Sequence, residues 1–393
     1  MRYFSFNIID KNIISVSEVV FMTELEKIDK NFAIKKKIDK EDIKFYNVRE
    51  DPFQIYGLYD PKNEPIFTRM PAEAAARVGG EERKENISKL AFHTAGGRVR
   101  FSTDSNYVAI RCYMDKIVMM SHMAFTGSSG FDIYMDDDGE GVFCGSYQPP
   151  CSMTNGFESI KEFKFTERKM RNYTIHFPLY NMVNELFIGL EDTAKVGPGK
   201  EYRYKTPVVI YGNSVTQGGC VCRPGNCYSN VISRKYDVDT VNLGFSGSAR
   251  GEDEMIEYLA SLDMSVFVCD YDHNAQTVPD LAATHPRVYR GIRDAHPDVP
   301  IIFISRPTFE RPIEGMRRSV ERREVIFKTY MDAFNSGDTN VYFIDGDFVF
   351  GADNVDACTV DLSHPNDMGH IRMAEVIGHR VAKFLHGSRY ATI

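Results

Sequence analysis

From residue 204 to the C-terminus, short unbroken apolar runs alternate with amphipathic stretches. Residues 208–211 (VVIY), 240–243 (TVNL), 266–270 (VFVCD), 301–305 (IIFIS) and 341–344 (VYFI) read as strands. Helical patterns fall between and after them, near 228–236, over 252–262, 287–295 and 316–335, and finally over 367–385. Strands without polar alternation are buried on both faces, so this pattern predicts a five-stranded parallel sheet covered by helices on each side. In such sheets ligands sit beyond the carboxyl ends of the strands. The loops that leave those ends are therefore where chemistry is sought.

Residues 50–203 have a different texture. Alternating segments recur at 99–101, 107–113, 131–134, 173–177 and 185–188, separated by Gly, Asn and Asp clusters such as 136–139. Short strands with turn signals between them predict an antiparallel β-sandwich. One helix is expected at 71–78 (PAEAAARV), with Pro at a first helical position and good helix formers behind it. Residues 1–49 are rich in Lys and Ile and end in a mixed-charge run, KKKIDKEDIK. They read as an N-terminal extension, and Met22 is a second candidate start.

Composition narrows the function classes. With 393 residues the chain is long enough for two cores. A net charge of -8 argues against a nucleic-acid footprint, which needs clustered Lys and Arg. No apolar run reaches the roughly 18–20 residues of a membrane span. The N-terminal segment lacks an uninterrupted apolar stretch and a small-residue cleavage site, so no signal peptide is read there. Eight cysteines in such a chain predict reduced thiols and a cytoplasmic location. Cys220, Cys222 and Cys227 cluster, but no second ligand pair accompanies them as in a zinc site. Buried thiols beside a loop are expected, with no metal.

The loops carry the candidate chemistry. After the first strand comes Gly212-Asn213-Ser214-Val215-Thr216-Gln217-Gly218-Gly219. It puts a serine in a Gly-rich turn at a strand end. It is not the α/β-hydrolase elbow, which wants Gly where Thr216 stands, nor a P-loop, which needs a Lys-Ser/Thr pair. By itself the segment leaves Ser214 one loop serine among many. The second strand leads into Asn242-Leu243-Gly244-Phe245-Ser246-Gly247-Ser248, whose turn can aim an N–H at a site. The third leads into Asp270-Tyr271-Asp272-His273-Asn274, where the Asn274 amide can donate to an oxyanion. After the fifth, Asp361 and His364 stand three apart before the last helix. A serine nucleophile needs a base, and the base needs an orienting acid. His273 is expected at the rim and His370 as a structural helix residue. Arg223 is a candidate contact for an anionic or hydroxyl-rich substrate, or else a pin for the Cys-rich loop.

Taken together and in this order, the four segments resemble the SGNH (GDSL-like) hydrolase superfamily, over roughly residues 204–393. Its Ser, Gly, Asn and His fall on Ser214, Gly244, Asn274 and His364, and its acid on Asp361. YGNSVTQGG, CRPGN, NLGFSGSARGE and SHPNDMGHIRMAE further resemble the subfamily that carries an N-terminal β-domain with a GxDLY signature. Here that signature is Gly130-Phe131-Asp132-Ile133-Tyr134. The founding GDS is GNS in this chain, with Asn213 in place of Asp, so the hydrogen bonds holding the loop are expected to differ. Asp132 is expected as a turn or edge contact. The resemblance implies a flavodoxin-like α/β/α domain with a five-stranded parallel sheet, preceded by the sandwich. It implies an acyl-enzyme mechanism on Ser214, Asp361 and His364. The oxyanion hole would be built from Ser214, Gly244 and Asn274, and no cofactor is needed. The expected substrate is a small-molecule or glycan ester carrying acetyl or another short acyl group. An acyltransferase, a lipid acyl hydrolase and a silent glycan-binding protein are the alternatives. The sequence carries no oligomer signal.

Overall fold

The computed structural model describes residues 38–136, 141–307 and 313–386. The first 37 residues, including Met22 and the start of the charged run, lie outside the described residues, as does most of the 136–139 turn.

Among the described residues, ten strands form the β-sandwich: β1 (Ile43–Asn47), β2 (Gln54–Tyr56), β3 (Arg98–Thr103), β4 (Tyr107–Tyr113), β5 (Phe131–Met135), β6 (Val142–Tyr147), β7 (Gly156–Glu162), β8 (Arg171–His176), β9 (Glu185–Glu191) and β10 (Val196–Pro198). One sheet runs in the order β1-β9-β4-β7 and the other β10-β3-β8-β5-β6, with β2 on β3. All these pairings are antiparallel. Inward residues of both sheets, among them Phe101, Phe131, Tyr147, Ile175 and Ile188, make one apolar core. β1 falls inside the expected extension, yet it pairs with β9 along its length. Its alternation is short and sits in a run of charge, which hid it.

The second domain is built on β11 (Tyr204–Gly212), β12 (Val238–Gly244), β13 (Val266–Asp270), β14 (Ile301–Ile304) and β15 (Val341–Ile344). They form one sheet in the order β12-β11-β13-β14-β15, and every pairing is parallel. This is the doubly wound flavodoxin-like order, whose switch point falls between the first and third strands. Alternate residues feed two cores. Val209, Tyr211, Phe267 and Phe303 face one layer of helices, while Val208, Ile210, Val268 and Ile304 face the other. The helix expected from residue 287 begins earlier, at Val278, because a Thr277–Asp280 capping box starts it and Pro279 fits its first turn. Pro286 inside it does not end it. Among the described residues no helix is long and apolar enough to cross a membrane.

Packing also redraws the border between the domains. The expected short helix is present as Ala72–Arg77, and a second one, Gly80–Leu90, follows it. Its sequence, GEERKENISKL, is too polar to show a broad apolar face, and among its described side chains only Ile87 is buried. Met70, Ala75, Val78, Ile87 and Ala91 pack with Leu243 and Phe245 of the α/β core rather than with the sandwich. Arg69, fully buried beside them, donates from Nη1 to Gly244 O at 2.5 Å and from Nη2 to Leu90 O at 2.6 Å. A segment that lies between β2 and β3 of the sandwich in sequence thus clamps the end of β12.

Candidate active site

Strand register sets the floor of the site. Gly212 at the end of β11 pairs with Gly244 on one side and with Asp270 on the other. Three loops therefore leave the sheet at the same level. The first turns at once into a single helical turn, Ser214–Gln217. Asn213 caps it: its Oδ1 accepts from Val215 N at 2.7 Å, while its Nδ2 donates to Asp270 O at 3.0 Å. An Asp at this position would have no hydrogen to offer that carbonyl. The GNS departure thus has a local reason. A Cβ on Gly212 would stand 2.0 Å from Thr216 Oγ1, so only glycine lets the turn fold back this tightly.

Ser214 is 8% exposed, and its Oγ lies 3.0 Å from His364 Nε2. The Nδ1 of the same ring lies 2.8 Å from Asp361 Oδ2. Asp361 Oδ1 also accepts from His364 N at 2.7 Å and Ser363 N at 3.0 Å, so the carboxylate shapes its own loop. Leu362 between them takes a left-handed conformation with φ 64°. Burial pushes the Asp361 carboxyl up, but the backbone and side-chain hydrogen bonds from His364 and Ser363 outweigh it and hold it below the usual range. The three residues are thus one hydrogen-bonded relay, with the ring oriented from behind and open to accept the serine proton.

Gly244 lies at the same strand end, but its N–H donates to Asn242 Oδ1 at 2.9 Å. That hydrogen does not face an incoming ligand, which corrects the expected oxyanion role. What Gly244 supplies is room: a Cβ there would stand 2.1 Å from Gln217 N. Three residues on, Gly247 has φ 68° and open space around it. Together with His273 and Asn274 it lines a cavity of about 380 Å³. Asn274 Oδ1 accepts from Ala249 N at 3.3 Å, which orients the amide. His273 is a poor proton acceptor, because burial and the facing Arg306 guanidinium hold its ring neutral.

Arg223 does not stand free for substrate. It donates to Asp132 Oδ2 at 2.9 Å and to Tyr134 Oη, and stacks 3.9 Å above the Phe143 ring. Asp132 is no edge contact either. It is fully buried and also accepts from Gly225 N at 2.8 Å, with His176 Nδ1 at 2.8 Å. Burial raises its carboxyl, but His176 and Arg223 draw it below the usual range. Burial lowers the His176 ring to about 4, so the lasting counter-charge is Arg223. The Asp of the GxDLY signature is therefore the joint that fastens the Cys-rich loop to the sandwich.

Three further residues escaped the sequence reading. Tyr180 of the sandwich domain donates to Ser214 O at 3.1 Å. Gln217 Oε1 accepts from Ser246 N at 2.9 Å while its Nε2 reaches Leu179 O and His93 Nδ1, both at 3.1 Å. Asp367 ties the last helix to the Cys-rich loop through Asn226 Nδ2 at 2.7 Å and Cys222 N at 3.1 Å. His370 is structural as expected, buried between Gly219 O at 3.1 Å and Tyr228 N at 3.3 Å. All eight cysteines are free. Burial, with Asp361 nearby, pushes the Cys220 thiol up to about 12.

Comparison with known proteins agrees with this architecture. Residues 205–382 match the GDSL-like lipase/acylhydrolase family, and residues 43–196 match the GxDLY domain, the N-terminus of SGNH-hydrolase-type esterases. A protein from Bacteroides ovatus named as a GDSL-like lipase superposes with a TM-score of 0.77 at 26% identity, covering 88% of this chain and 98% of its own. A family two carbohydrate esterase from Cellvibrio japonicus superposes at 0.56 with 12% identity, over 88% and 98% of the two chains. No curated protein matches the sequence. Two adjoining family matches and a structural likeness over 88% of the chain converge on one assignment: the chain belongs to the GDSL-like (SGNH) hydrolase superfamily, in the branch that carries a GxDLY domain at its N-terminus.

Proposed function

We propose that the chain is a serine esterase that removes acetyl or other short acyl groups from a carbohydrate or polyol through an acyl-enzyme. The observation that carries this reading is the relay from Asp361 through both nitrogens of His364 to Ser214 Oγ. His364 takes the Ser214 proton as Oγ attacks the ester carbonyl, then delivers it to the departing alkoxide. Asp361 holds the imidazole tautomer and stabilises the imidazolium. Water then attacks the acyl carbon as His364 takes its proton, and the C–Oγ bond breaks as His364 returns that proton to Ser214, which releases the acid. The negative oxygen of each tetrahedral intermediate is met by the Ser214 N–H, the Asn274 amide and the Gly247 N–H, which takes the role first assigned to Gly244.

A fold does not choose a substrate, so the carbohydrate part is tested directly. A chromogenic acetate ester should be hydrolysed by the wild type and left at background by Ser214→Ala. Equal rates for the two would end the enzyme reading. Acetylated sugars compared with longer acyl esters then choose among short-chain esterase, lipid acyl hydrolase and, if added alcohols are acylated, transferase.

A further inference from the structure

Two side chains that the proposed mechanism does not use, His122 and Cys220, gather around its base, His364. His122, on a turn of the sandwich domain ahead of the Phe125–Ser128 helix, reaches the rim of the site. Its ring lies 5.6 Å from that of His364, centroid to centroid. Cys220 comes from the other side, just beyond the nucleophile turn, in a positive-φ conformation at 143°. One ligand atom from each of His122, Cys220 and His364 lies within 4.8 Å of the other two. Donors around a tetrahedral ion at about 2.0–2.3 Å stand roughly 3.3–3.8 Å apart. An inward movement of about 1 Å would therefore close the set, and the exposed His122 side chain is free to make it.

We infer that His122, Cys220 and His364 form a binding site for a thiophilic divalent cation such as zinc, and that its occupancy switches the enzyme off. Two imidazoles and a thiolate select zinc-like ions over magnesium or calcium, which prefer oxygen. Three protein ligands leave the fourth tetrahedral position for water. Binding releases the Cys220 proton to solvent as the S–metal bond forms, so it strengthens as pH rises. The inhibitory consequence follows from His364, whose two nitrogens are both engaged, Nδ1 with Asp361 and Nε2 with Ser214. Coordination through either one removes a hydrogen bond of the relay. Metal-loaded and reaction-ready states therefore exclude each other.

The consequence rests on the esterase reading, but the binding does not, and the experiment keeps them apart. Cobalt(II) is titrated into the full chain, and thiolate-to-cobalt charge-transfer absorption is recorded for wild type, Cys220→Ser and His122→Ala. Zinc inhibition of chromogenic acetate hydrolysis is measured in parallel, with magnesium as control and reversal by chelator. The wild type should show the band, Cys220→Ser should lack it, and magnesium should have no effect. In His122→Ala, uninhibited activity should remain while zinc inhibition weakens about tenfold or more, given that losing even an outer-shell partner costs 10–100-fold. No band in the wild type, or the same band in Cys220→Ser, overturns the site. A band that depends on Cys220 in a protein that hydrolyses no ester would leave the metal site standing and remove the esterase. Undiminished hydrolysis at saturating cobalt overturns the switch.

Discussion

Asp132, on β5 of the sandwich, accepts a hydrogen bond at 2.9 Å from Arg223, which lies 91 residues away on the loop that follows the nucleophile turn. The carboxylate is fully buried and the guanidinium 19% exposed, so water screens the pair little. Removing one partner of such a pair leaves a buried charge, at a cost of about 3–5 kcal/mol. Asp132→Ala and Arg223→Ala should each lower urea stability by roughly that amount. The double variant should lose clearly less than the sum. A role of Arg223 in substrate binding alone would raise KM and leave the unfolding midpoint in place.

Asn213 poses a sharper test, because a single hydrogen separates it from the acid of the founding motif. Its Nδ2 donates to Asp270 O, and nothing replaces that donor in Asn213→Asp. The introduced carboxylate would face a carbonyl, with the Asp270 and Asp272 carboxyls nearby, both raised by burial. A loss of about 1–3 kcal/mol is expected from the unmatched acceptors, larger at high pH where the new group ionises. Unfolding at pH 5 and pH 8 measures it. Equal stability of the two proteins at both pH values would mean that the Asn213 amide does not hold the turn.

Beneath the turn, Asp270 accepts from Thr216 Oγ1 at 2.9 Å and Tyr228 Oη at 3.2 Å. Burial, with Asp272 adding to it, raises its carboxyl from 3.8 to about 8. Between those values the folded chain holds a proton that the unfolded chain has lost. Stability contributed by this group is therefore complete below about pH 4 and falls as pH rises towards 8, by up to about 1.4 kcal/mol per pH unit. Asp270→Asn abolishes that term. Stability curves of variant and wild type should diverge across this window, the variant gaining with pH. Parallel curves would rule the proton out.

How much of this was legible in the sequence follows from where each signal lies. Strands buried on both faces read as apolar runs, Ser214 begins the turn that leaves one of them, and Asp361 and His364 sit on the loop before the last helix. Order along the chain was therefore enough to join them. The joints were not legible. Asp132 with Arg223, Tyr180 with Ser214, and Arg69 with Gly244 span 91, 34 and 175 residues, and each is a polar residue with no local pattern to mark its partner. The helix Gly80–Leu90 was missed because Ile87 and Leu90 are its only apolar side chains, too few to mark a face. Gly244 and Gly247 share one turn, and only hydrogen-bond direction tells which N–H is taken.

That choice between glycines can be measured. Gly244→Ala should fail to fold properly, since its methyl would meet Gln217 N at 2.1 Å. Gly247→Ala has space and meets only the left-handed backbone, a cost of about 1–2 kcal/mol. It should fold and lose part of kcat as the turn shifts. Asn274→Ala removes one donor outright, and should lower kcat by about 10²–10³ with KM little changed. A kcat that stays at the wild-type level would take Asn274 out of the oxyanion hole.

Asp361→Asn isolates the orienting step. The Asn oxygen can still accept from His364 N and Ser363 N, so the loop should keep its shape. The Asn amide, however, would face Nδ1 and favour the tautomer with the proton on Nε2, where it cannot accept from Ser214. In a well-buried relay of this kind the same change costs about 10⁴ in kcat. The Asp361 side chain is 37% exposed, so water screens its charge and offers the ring other partners. The loss here should be smaller, about 10²–10³ in kcat, with KM and the unfolding midpoint close to wild type. Pre-steady-state acylation with a chromogenic ester places the defect in the chemical step. If acylation is as fast as in the wild type, Asp361 shapes the loop without serving the imidazole.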